Sequence, residues 1–290
     1  MDRRTEQVGV VIHPRRDIDA ALATTRAWAD THGVVLGQVL IPGQNRRVAE
    51  PVAVESCDLV LALGGDGTAL AALHAAAPTS RPVLGVACGS LGVLTSVAAG
   101  DLSTALDQVT AANWSPRPLP ALEITNLPAG ARFAINDFAM IRDGTGQVIT
   151  EIRVGDELYA QTAGDGLVVA TPLGSSAYTM AAGGPILAPG AQGIVITPLA
   201  QHGGVSPPLV AGPDSRVRVI VEPGYGGSRF EIDGQETGMA AHEVTVTLRR
   251  DYASLVSLAA QEPLLTGLRR RGLVVDSPRI LARDARERPS

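Results

Sequence analysis

The sequence predicts an α/β domain at the N-terminus followed by a β-rich domain, built as a layered sheet or a sandwich. Up to residue 115, short apolar runs alternate with helical segments, which is the pattern of a parallel sheet covered by helices. From residue 116 to 254, glycine and proline separate β-type runs at short intervals. Residues 255–290 are expected to return to the first domain and to end in a disordered, arginine-rich tail.

In the N-terminal domain, the strands are short apolar runs and the helices carry apolar residues at helical spacing. Ala20, Ala21, Ala23 and Trp28 have that spacing in the first helix. Strands that are separated by helices imply parallel pairing. The predicted strands cover residues 8–12, 34–40, 59–63 and 83–87, and the predicted helices cover residues 17–31, 69–77 and 101–112.

The change to β structure begins at residues 116–120, where three prolines in five residues rule out a helix and predict a crossing between domains. One helical segment, residues 175–182, is expected to interrupt the strands. An apolar run at 255–259 and a helix at about 263–271 are expected to rejoin the first domain. The predicted strands of this region cover residues 122–126, 132–141, 148–154, 157–163, 166–170, 217–221, 229–232 and 243–248.

The charged residues exclude several classes of function. All 24 cationic residues are arginine, since the 290-residue chain contains no lysine. A Walker-type phosphate loop and a protein-kinase fold both depend on a lysine, so both are excluded. The net charge of −5 argues against nucleic-acid binding. Any phosphate chemistry must therefore use backbone amides, a metal ion or arginine.

The remaining composition indicates a cytoplasmic protein. Cys57 and Cys88 cannot form a disulfide framework, and no apolar run approaches the length of a membrane span. The N-terminus lacks the apolar core of a signal peptide. We therefore expect small-molecule partners, with neither a membrane nor a nucleic acid among them. No cluster has the spacing of a zinc site, and no Ser–His–Asp arrangement is legible.

The most informative segment is Gly64–Thr68, a Gly-Gly-Asp-Gly-Thr turn between a buried strand and an alanine-rich helix. Such a turn brings bare backbone N–H groups close to an anion. A carboxylate there would repel phosphate, so Asp66 needs a chemical role, either as the base for an attacking hydroxyl or as a metal ligand. The alternative is that Asp66 or Thr68 simply caps the helix.

Two further segments indicate a second part of the site. Residues 165–178 join a strand to a helix through a loop rich in small hydroxyl groups, which suits a polar ligand. Asn136 and Asp137 form a polar pair in an apolar strand and must find partners. Taken alone, the loop is better explained as a turn with helix caps, and the pair as a bulge or strand end. His202, alone in a loop, is expected to be a surface residue.

Taken together and in order, these segments resemble the ATP-dependent NAD kinase family over most of the chain. The related lipid kinases share the first motif but lack the second cluster. The resemblance rests on Gly64–Thr68, Gly89–Thr95, Asn136-Asp137, Asp165–Tyr178, Gly183-Gly184-Pro185, Thr197-Pro198 with His202 and residues 207–210, and Asp233-Gly234-Gln235.

The resemblance implies a Rossmann-like N-terminal domain, a β-rich C-terminal domain, a nucleotide site between them, and a homodimer or homotetramer. It implies ATP as phosphoryl donor, Mg²⁺ or another divalent cation, and NAD as acceptor, phosphorylated on the 2′-hydroxyl of its adenosine ribose to give NADP. Asp66 would be the general base. The nucleotide-binding residues would be Gly64, Gly65, Gly67 and Thr68 for phosphates, and Asn136, Asp137, Asp165, Ser176, Ala177, Tyr178, Ala181 and Gln235 for the acceptor.

The chain departs from the family's pattern mainly on the acceptor side. Losing polar contacts there predicts weaker NAD binding or a different acceptor, because such contacts discriminate strongly. Two alternatives therefore remain open at this point: a kinase for another hydroxylated small molecule, such as a nucleoside or polyol, and a non-catalytic nucleotide sensor. The departures are Asp137 for Glu, Ala87 for Asn, Cys88 for Arg, Leu173 and Ser176 for Thr, Ala181 for Ser, Ala163 for a basic residue and Pro207 for Arg.

Overall fold

The computed structural model describes residues 5–259 and 262–287. Contacts within this part of the chain group the residues into two units. The first unit holds the chain up to Ala72, Val83–Ser115 and the chain from Val256 onward, and the second holds Leu73–Pro82 and Pro116–Leu255. Residues 73–82, which the sequence pattern placed in the N-terminal domain, group with the second unit. No helix within the described residues has the length and apolar character needed to cross a membrane.

The first unit is an α/β layer, as predicted. Helix α1 ends at Gly33, whose φ of 66° is the left-handed conformation that favours glycine. Helix α2 starts in this unit, and its residues 73–76 belong to the second. The elements are β1 (Gln7–Ile12), α1 (Asp19–His32), β2 (Val35–Gln38), β3 (Leu59–Gly64), α2 (Asp66–Ala76), β4 (Val83–Ala87), β5 (Val97–Ala98), α3 (Leu102–Thr110), α5 (Leu264–Arg270) and α6 (Pro278–Glu287).

The strand order determines where a ligand can bind in this unit. The order is β2-β1-β3-β4, and all pairs are parallel. Since β2 lies on one side of β1 and β3 on the other, the direction in which successive strands are added reverses between β1 and β3. Ile12 pairs with Leu63 and Gly64 pairs with Ala87, so β1, β3 and β4 end at the same edge. Ligands of open α/β sheets bind outside this carboxyl edge, at the change of direction.

The core of the first unit packs the sheet against α1 and α3. Every residue of strand β3 is buried, without the alternation of a half-exposed strand, because the strand is covered on both faces. Leu61 shares a core with Leu22 and Trp28 of α1 and with Leu106 of α3. The indole N–H of Trp28 donates to Thr110 Oγ1 over 2.9 Å, which ties the two helices together. This packing holds the carboxyl ends of the strands in place.

The second unit is β-rich and has two layers. One sheet has the antiparallel order β13-β12-β11-β8-β15-β16. The other contains β10-β9-β14-β17, with β6 beside β17 and β7. The strands are β6 (Trp114–Thr125), β7 (Arg132–Ala134), β8 (Asp137–Arg142), β9 (Val148–Val154), β10 (Glu157–Gly164), β11 (Gly166–Ala170), β12 (Ile194–Leu199), β13 (Leu209–Ala211), β14 (Val217–Glu222), β15 (Ser228–Ile232), β16 (Gln235–Glu236) and β17 (Glu243–Leu258).

The inner faces of the two layers form one apolar core. Phe138 and Phe230 meet edge to face, with ring centroids 5.4 Å apart, and share this core with Ile152, Val219 and Val246. The strands alternate accordingly, with buried residues toward the core. The predicted combination of an α/β part and a β-rich layered part is confirmed.

The predicted crossing at residues 116–120 lies where the chain passes from the first unit, at Ser115, to the second, at Pro116. Residues 116–120 themselves are extended within β6, because the fixed φ of proline also suits a strand. Strands β12 and β13 were missed, since Pro198 inside β12 is a signal against a strand. The run at 255–259 is the end of β17, which continues to Leu258, and from Val256 onward it groups with the first unit, as expected.

The predicted helices of the C-terminal half also differ from those observed. The segment 175–182 is a 3₁₀ turn, Gly174–Ser176, followed by the short helix α4 (Tyr178–Ala181). The break falls at Ala177, whose φ and ψ of −105° and −118° are not helical. The tail, expected to be disordered, forms helix α6 as far as Glu287.

Candidate active site

The glycine-rich turn lies at the carboxyl edge of the first unit's sheet. Gly64 ends β3, and Asp66 opens α2. A methyl group on Gly64 would lie 2.2 Å from Thr68 Oγ1, so a larger residue would displace the buried Thr68. The structure therefore brings Gly64, Gly65, Gly67 and Thr68 together around Asp66, as predicted from the motif.

The carboxylate of Asp66 is held by the loop that follows β4. Its Oδ1 accepts hydrogen bonds from the N–H groups of Leu94 and Thr95, both at 3.0 Å, and from Thr95 Oγ1 at 3.0 Å. Its Oδ2 accepts one, from the N–H of Val93 at 2.8 Å. A carboxylate offers about four lone-pair sites over its two oxygens. Oδ1 is saturated, and Oδ2 retains an acceptor position.

This close approach depends on Gly92. A Cβ built on Gly92 would lie 1.9 Å from Asp66 Oδ1 and 2.4 Å from Oδ2. Atoms never come that close, so the carboxylate can occupy its position only beside a glycine. The second family motif, Gly89–Thr95, thus supplies both the donors that hold Asp66 and the space that admits it.

A cavity of about 260 Å³ opens beside this turn. Its volume is below the roughly 300–1,000 Å³ of pockets that enclose a drug-sized ligand, so it suits part of a nucleotide, such as its phosphates. It lies where the strand order predicts a ligand, between the ends of β1 and β3. Its lining residues are His13, Pro14, Arg16, Gln44, Gly65, Asp66, Gly67 and Thr68.

Arg16 supplies the positive charge of this cavity. Its Nη1 donates to the carbonyl oxygen of Gly64 over 3.4 Å. Methyl groups on Gly65 and Gly89 would lie 3.2 and 3.0 Å from the same nitrogen, so the two glycines let the guanidinium approach the turn. The chain contains no lysine, and Arg16 is the arginine among the residues that line this cavity.

His13 presents a neutral ring to the same cavity. Its Nδ1 accepts hydrogen bonds from the backbone N–H groups of Arg15 and Arg16, at 3.1 and 2.8 Å. Partial burial lowers the pKa of His13, and the charges of Arg16, Arg15 and Arg46 lower it further. The ring proton of the neutral form is therefore on Nε2, which can act as a donor.

In the second unit, the predicted Asn136–Asp137 pair lies at the start of β8, and the Asp233 carboxylate anchors its backbone. Oδ1 accepts the N–H groups of Asn136 and Asp137, at 2.7 and 3.1 Å, and Oδ2 accepts that of Ile135 at 2.9 Å. In return, the N–H of Asp233 donates to the carbonyl of Asp137 over 2.9 Å. Asp233 adopts a φ of 51°, uncommon for a residue other than glycine, to make these contacts.

The hydroxyl-rich loop packs on the same backbone. Thr171 Oγ1 donates to the carbonyl of Ile135 over 2.7 Å, and the N–H of Thr171 donates to that of Asn136 over 2.9 Å. A Cβ on Gly174 would lie 1.9 Å from the carbonyl oxygen of Asn136, so only glycine fits there. The pair, the loop and the Asp233 turn, predicted separately, are thus brought together.

The predicted acceptor residues are placed unevenly around this group. Ser176 Oγ donates to the carbonyl of Leu173, Tyr178 and Ala181 are exposed on α4 after Ala177, and Gln235 is exposed on β16. Asp165 is not brought to the pair within the chain. Asp165 comes just before Gly166, the first residue of β11, whereas Asp137 pairs with Ala170 at the other end of that strand. Asp165 instead accepts a hydrogen bond on Oδ1 from Arg142 Nε, over 2.6 Å.

Some interacting residues were missed by sequence reasoning. His13 and Arg16 follow β1, and their approach to the turn could have been inferred only from a correct strand order. Arg142 carries no motif signal. His202 is exposed, with Nδ1 3.1 Å from Gln147 Oε1, as expected of a surface residue.

Asp137 is the titratable group of this part of the site. Its side chain is almost fully buried, and that burial, together with the negative charge of Asp233, raises its pKa to about 7. The backbone N–H of Tyr178 favours the ionised form and offsets part of the shift. Asp137 is therefore poised to lose its proton near neutral pH.

We expect Asp137→Asn to remove a pH-dependent loss of stability. Between about pH 4 and 7 the folded protein keeps a proton on Asp137 that the unfolded chain has released, so stability falls as pH rises through that window. Above pH 7 the loss is constant, at about 4 kcal/mol at most. Urea midpoints of the variant, measured at pH 5 to 8, should exceed those of the native chain by an amount that grows with pH. Asp156→Asn, at an exposed carboxyl of the same unit, should show no such trend, and a pH-independent offset for Asp137→Asn would contradict the assignment.

Comparison with known proteins settles the family. Residues 9–113 match the family described as ATP-NAD kinase N-terminal domain, and residues 135–260 match the ATP-NAD kinase C-terminal domain. The chain belongs to the NAD kinase family. It is 34% identical over 243 residues to an NAD kinase of Heliobacterium modesticaldum, covering 79% of this chain and 84% of that one. It is 31% identical over 264 residues to an NAD kinase of Chlorobium chlorochromatii, covering 88% and 91%.

Solved structures of NAD kinases share the fold. The yeast NADH kinase complexed with NADH aligns with a TM-score of 0.78 at 19% identity, covering 94% of this chain and 89% of that one. The NAD kinase of Archaeoglobus fulgidus in complex with ATP aligns with a TM-score of 0.73 at 22% identity, covering 91% and 98%. The fold is therefore shared with these structures over most of the chain.

Proposed function

We propose that this member of the NAD kinase family transfers the terminal phosphoryl group of ATP to the 2′-hydroxyl of the adenosine ribose of NAD, with Asp66 as the base. Family membership establishes the reaction, ATP-dependent phosphorylation of NAD. The observation that supports the role of Asp66 is the unequal use of its two oxygens. Oδ1 has three donors and Oδ2 has one.

In the proposed step, the ribose hydroxyl donates its hydrogen bond to Asp66 Oδ2, the oxygen with an acceptor position to spare. The proton passes to Oδ2 as the ribose oxygen forms its bond to the terminal phosphorus. The bond between that phosphorus and the bridging oxygen breaks, and ADP leaves with the electron pair. Since the phosphoryl group is loosely bonded in the transition state, most of the rate comes from positioning and charge neutralisation. The fixed carboxylate supplies the positioning.

The donor phosphates are proposed to lie in the cavity beside the turn. Backbone N–H groups of the glycine-rich turn and the guanidinium of Arg16 surround it, and His13 Nε2–H is a further donor. Anions are stabilised where such donors meet a helix N-terminus, and here the turn opens α2. These donors would supply the positive charge that a lysine supplies in other phosphate sites, and, among the residues described, Asp66 is the one acidic residue that lines the cavity.

A divalent cation, Mg²⁺ in the first place, is proposed to accompany ATP. Such an ion would be held by the phosphates of the nucleotide and would neutralise their charge during transfer. Among the described residues there is no group of three His, Cys, Asp or Glu side chains that could enclose a metal. The donor set therefore fits an ion carried by the phosphates of the nucleotide, and it leaves the free position of Asp66 Oδ2 for the ribose hydroxyl.

Asn136, Asp137, Ser176, Ala177, Tyr178, Ala181, Gln235 and Asp165 remain the proposed acceptor site. Six of them, Asn136, Asp137, Ser176, Ala177, Tyr178 and Gln235, belong to the pair, the loop and the Asp233 turn, which hydrogen bonds join. Ala181 and Asp165 are proposed on the motif alone. An altered acceptor and a non-catalytic sensor find no support in the comparisons. We further propose a homodimer or homotetramer in the cytoplasm, which light scattering of the purified chain would test.

The experiment that tests the function incubates the purified protein with ATP, Mg²⁺ and a panel of acceptors that includes NAD, nucleosides and polyols. Mass detection should find NADP from NAD and no other phosphorylated product at a comparable rate. Phosphorylation of another compound but not of NAD would overturn the proposed acceptor. ATP binding without any transfer would indicate a sensor.

We expect Arg16→Ala to weaken binding of ATP. Losing a charge-assisted contact to phosphate costs about 1.5–3 kcal/mol, so KM for ATP should rise roughly 10- to 100-fold. KM for NAD should change little. Arg15→Ala is the matched control, since it removes the same charge one position earlier and Arg15 does not line the cavity. Equal effects of the two substitutions in steady-state kinetics would show that Arg16 acts only through the overall charge.

A further inference from the structure

His74 lies in the second unit and contacts the carboxylate that anchors the acceptor turn. Its Nε2 is 2.6 Å from Asp233 Oδ2. The Asp233 side chain is only 4% exposed, whereas that of His74 is 31% exposed. A carboxylate that already accepts N–H groups from the backbone acts as an acceptor here as well, so the His74 proton is on Nε2. The proposed reaction gives no role to His74 or to Asp233, so it does not explain this contact.

The contact completes the set of bonds to Asp233. Oδ1 accepts hydrogen bonds from the N–H groups of Asn136 and Asp137, and Oδ2 accepts from the N–H of Ile135 and from His74 Nε2. Each oxygen thus has two donors. Without His74, Oδ2 would keep a single donor, and the carboxylate would hold the backbone of residues 135–137 less firmly. This backbone, residues 135–137, carries the side chains of two proposed acceptor residues, Asn136 and Asp137.

Aromatic contacts fix the imidazole from the side. The ring of Tyr252 meets that of His74 edge to face, with centroids 6.2 Å apart, and stacks on Phe133 at 4.6 Å. The guanidinium of Arg249 lies 5.5 Å from the centroid of Phe133. Phe133 belongs to β7, which leads directly into the turn at Ile135. The same stack therefore supports both His74 and the strand that enters the turn.

We propose that His74 is a positioning residue for the acceptor: through Asp233, it holds the backbone of residues 135–137 so that Asn136 and Asp137 present their side chains to NAD. This inference rests on the proposed function, which makes those two residues part of the acceptor site. It assigns to Asp233, the first residue of the Asp-Gly-Gln turn, a supporting role in which its carboxylate acts on the substrate only through residues 135–137.

The test compares His74→Ala with His74→Gln, whose amide N–H can replace the Nε2–H. We expect His74→Ala to raise KM for NAD about tenfold, the usual effect of losing one hydrogen bond to a charged group, with kcat and KM for ATP within about threefold of native. His74→Gln should restore most of the affinity. His32→Ala, in the first unit, is the control. Calorimetric titration with NAD, well below the unfolding temperature of each variant, should show the same order.

Three results would overturn the inference. One is an unchanged KM for NAD in His74→Ala, and another is a parallel loss toward ATP and NAD, which indicates a general effect on folding. The third is failure of His74→Gln to recover any affinity. These outcomes are distinct from failure of the proposed function, in which the native chain itself does not phosphorylate NAD. If it binds NAD without phosphorylating it, the titration still tests His74, and if it does not bind NAD, both proposals are wrong.

Discussion

Asp66→Asn should lower kcat about 10²–10⁴-fold, the range expected for loss of a general base. Asparagine has the shape of aspartate, and its oxygen can still accept from the N–H groups of Leu94 and Thr95. Its NH₂ group then replaces Oδ2, the oxygen proposed to take the proton, and faces the N–H of Val93. The lost bond should cost about 1–3 kcal/mol of stability, so the variant should fold.

Steady-state kinetics with ATP and NAD, together with calorimetric binding of ATP, would check this result. KM for ATP should stay within about threefold, because the phosphate-binding N–H groups and Arg16 are untouched. Asp101→Asn is the control, since it changes an exposed carboxyl of the same unit. Turnover near the native rate in Asp66→Asn would remove Asp66 from the mechanism.

Gly92→Ala should be nearly as damaging, although it adds a single methyl group. That methyl would lie 1.9 Å from Asp66 Oδ1, so either the carboxylate or the loop must move. A displacement of about 1 Å at a reacting group can cost about 10²-fold in rate. We therefore expect a fall of that size in kcat, with ATP still bound. Gly100→Ala is the matched control, because its methyl would meet no atom within 4 Å.

The double variant separates a local effect from a general one. If Gly92 matters only because it admits Asp66, Gly92→Ala should add little to the loss already caused by Asp66→Asn. Rates that multiply in the double variant would show that the loop has a separate role.

The extent of successful prediction follows from how local each signal is. The turn at Asp66 could be predicted because strand, glycines and helix are adjacent in the chain. The support of its carboxylate could not, because residues 93–95 reach it only through the pairing of β3 with β4. Arg16 and His13 likewise depend on β1 lying beside β3. These are long-range facts that hydrophobic periodicity does not encode.

The second unit shows the same division. The polar pair Asn136-Asp137 predicted that partners must exist, and Asp233, almost 100 positions later, binds the backbone N–H groups of the pair rather than its side chains. The identity of that partner was hidden, although Asp233 opens a motif that was recognised. His74 gave no signal, because a lone histidine in an alanine-rich helix is indistinguishable from a surface residue. Helix α4 was overextended because nothing in the sequence marks the break at Ala177.

The hydrogen bonds from the loop 92–95 to Asp66 also limit how that carboxylate can bind a metal ion. Oδ1 is saturated and the one remaining acceptor position of Oδ2 is proposed for the ribose hydroxyl, so Asp66 leaves no free position for a cation. Magnesium holds most of its water unless several oxygens replace it. The free ion should therefore have little affinity for this protein, and the enzyme should respond to the concentration of the magnesium–nucleotide complex rather than to that of free magnesium.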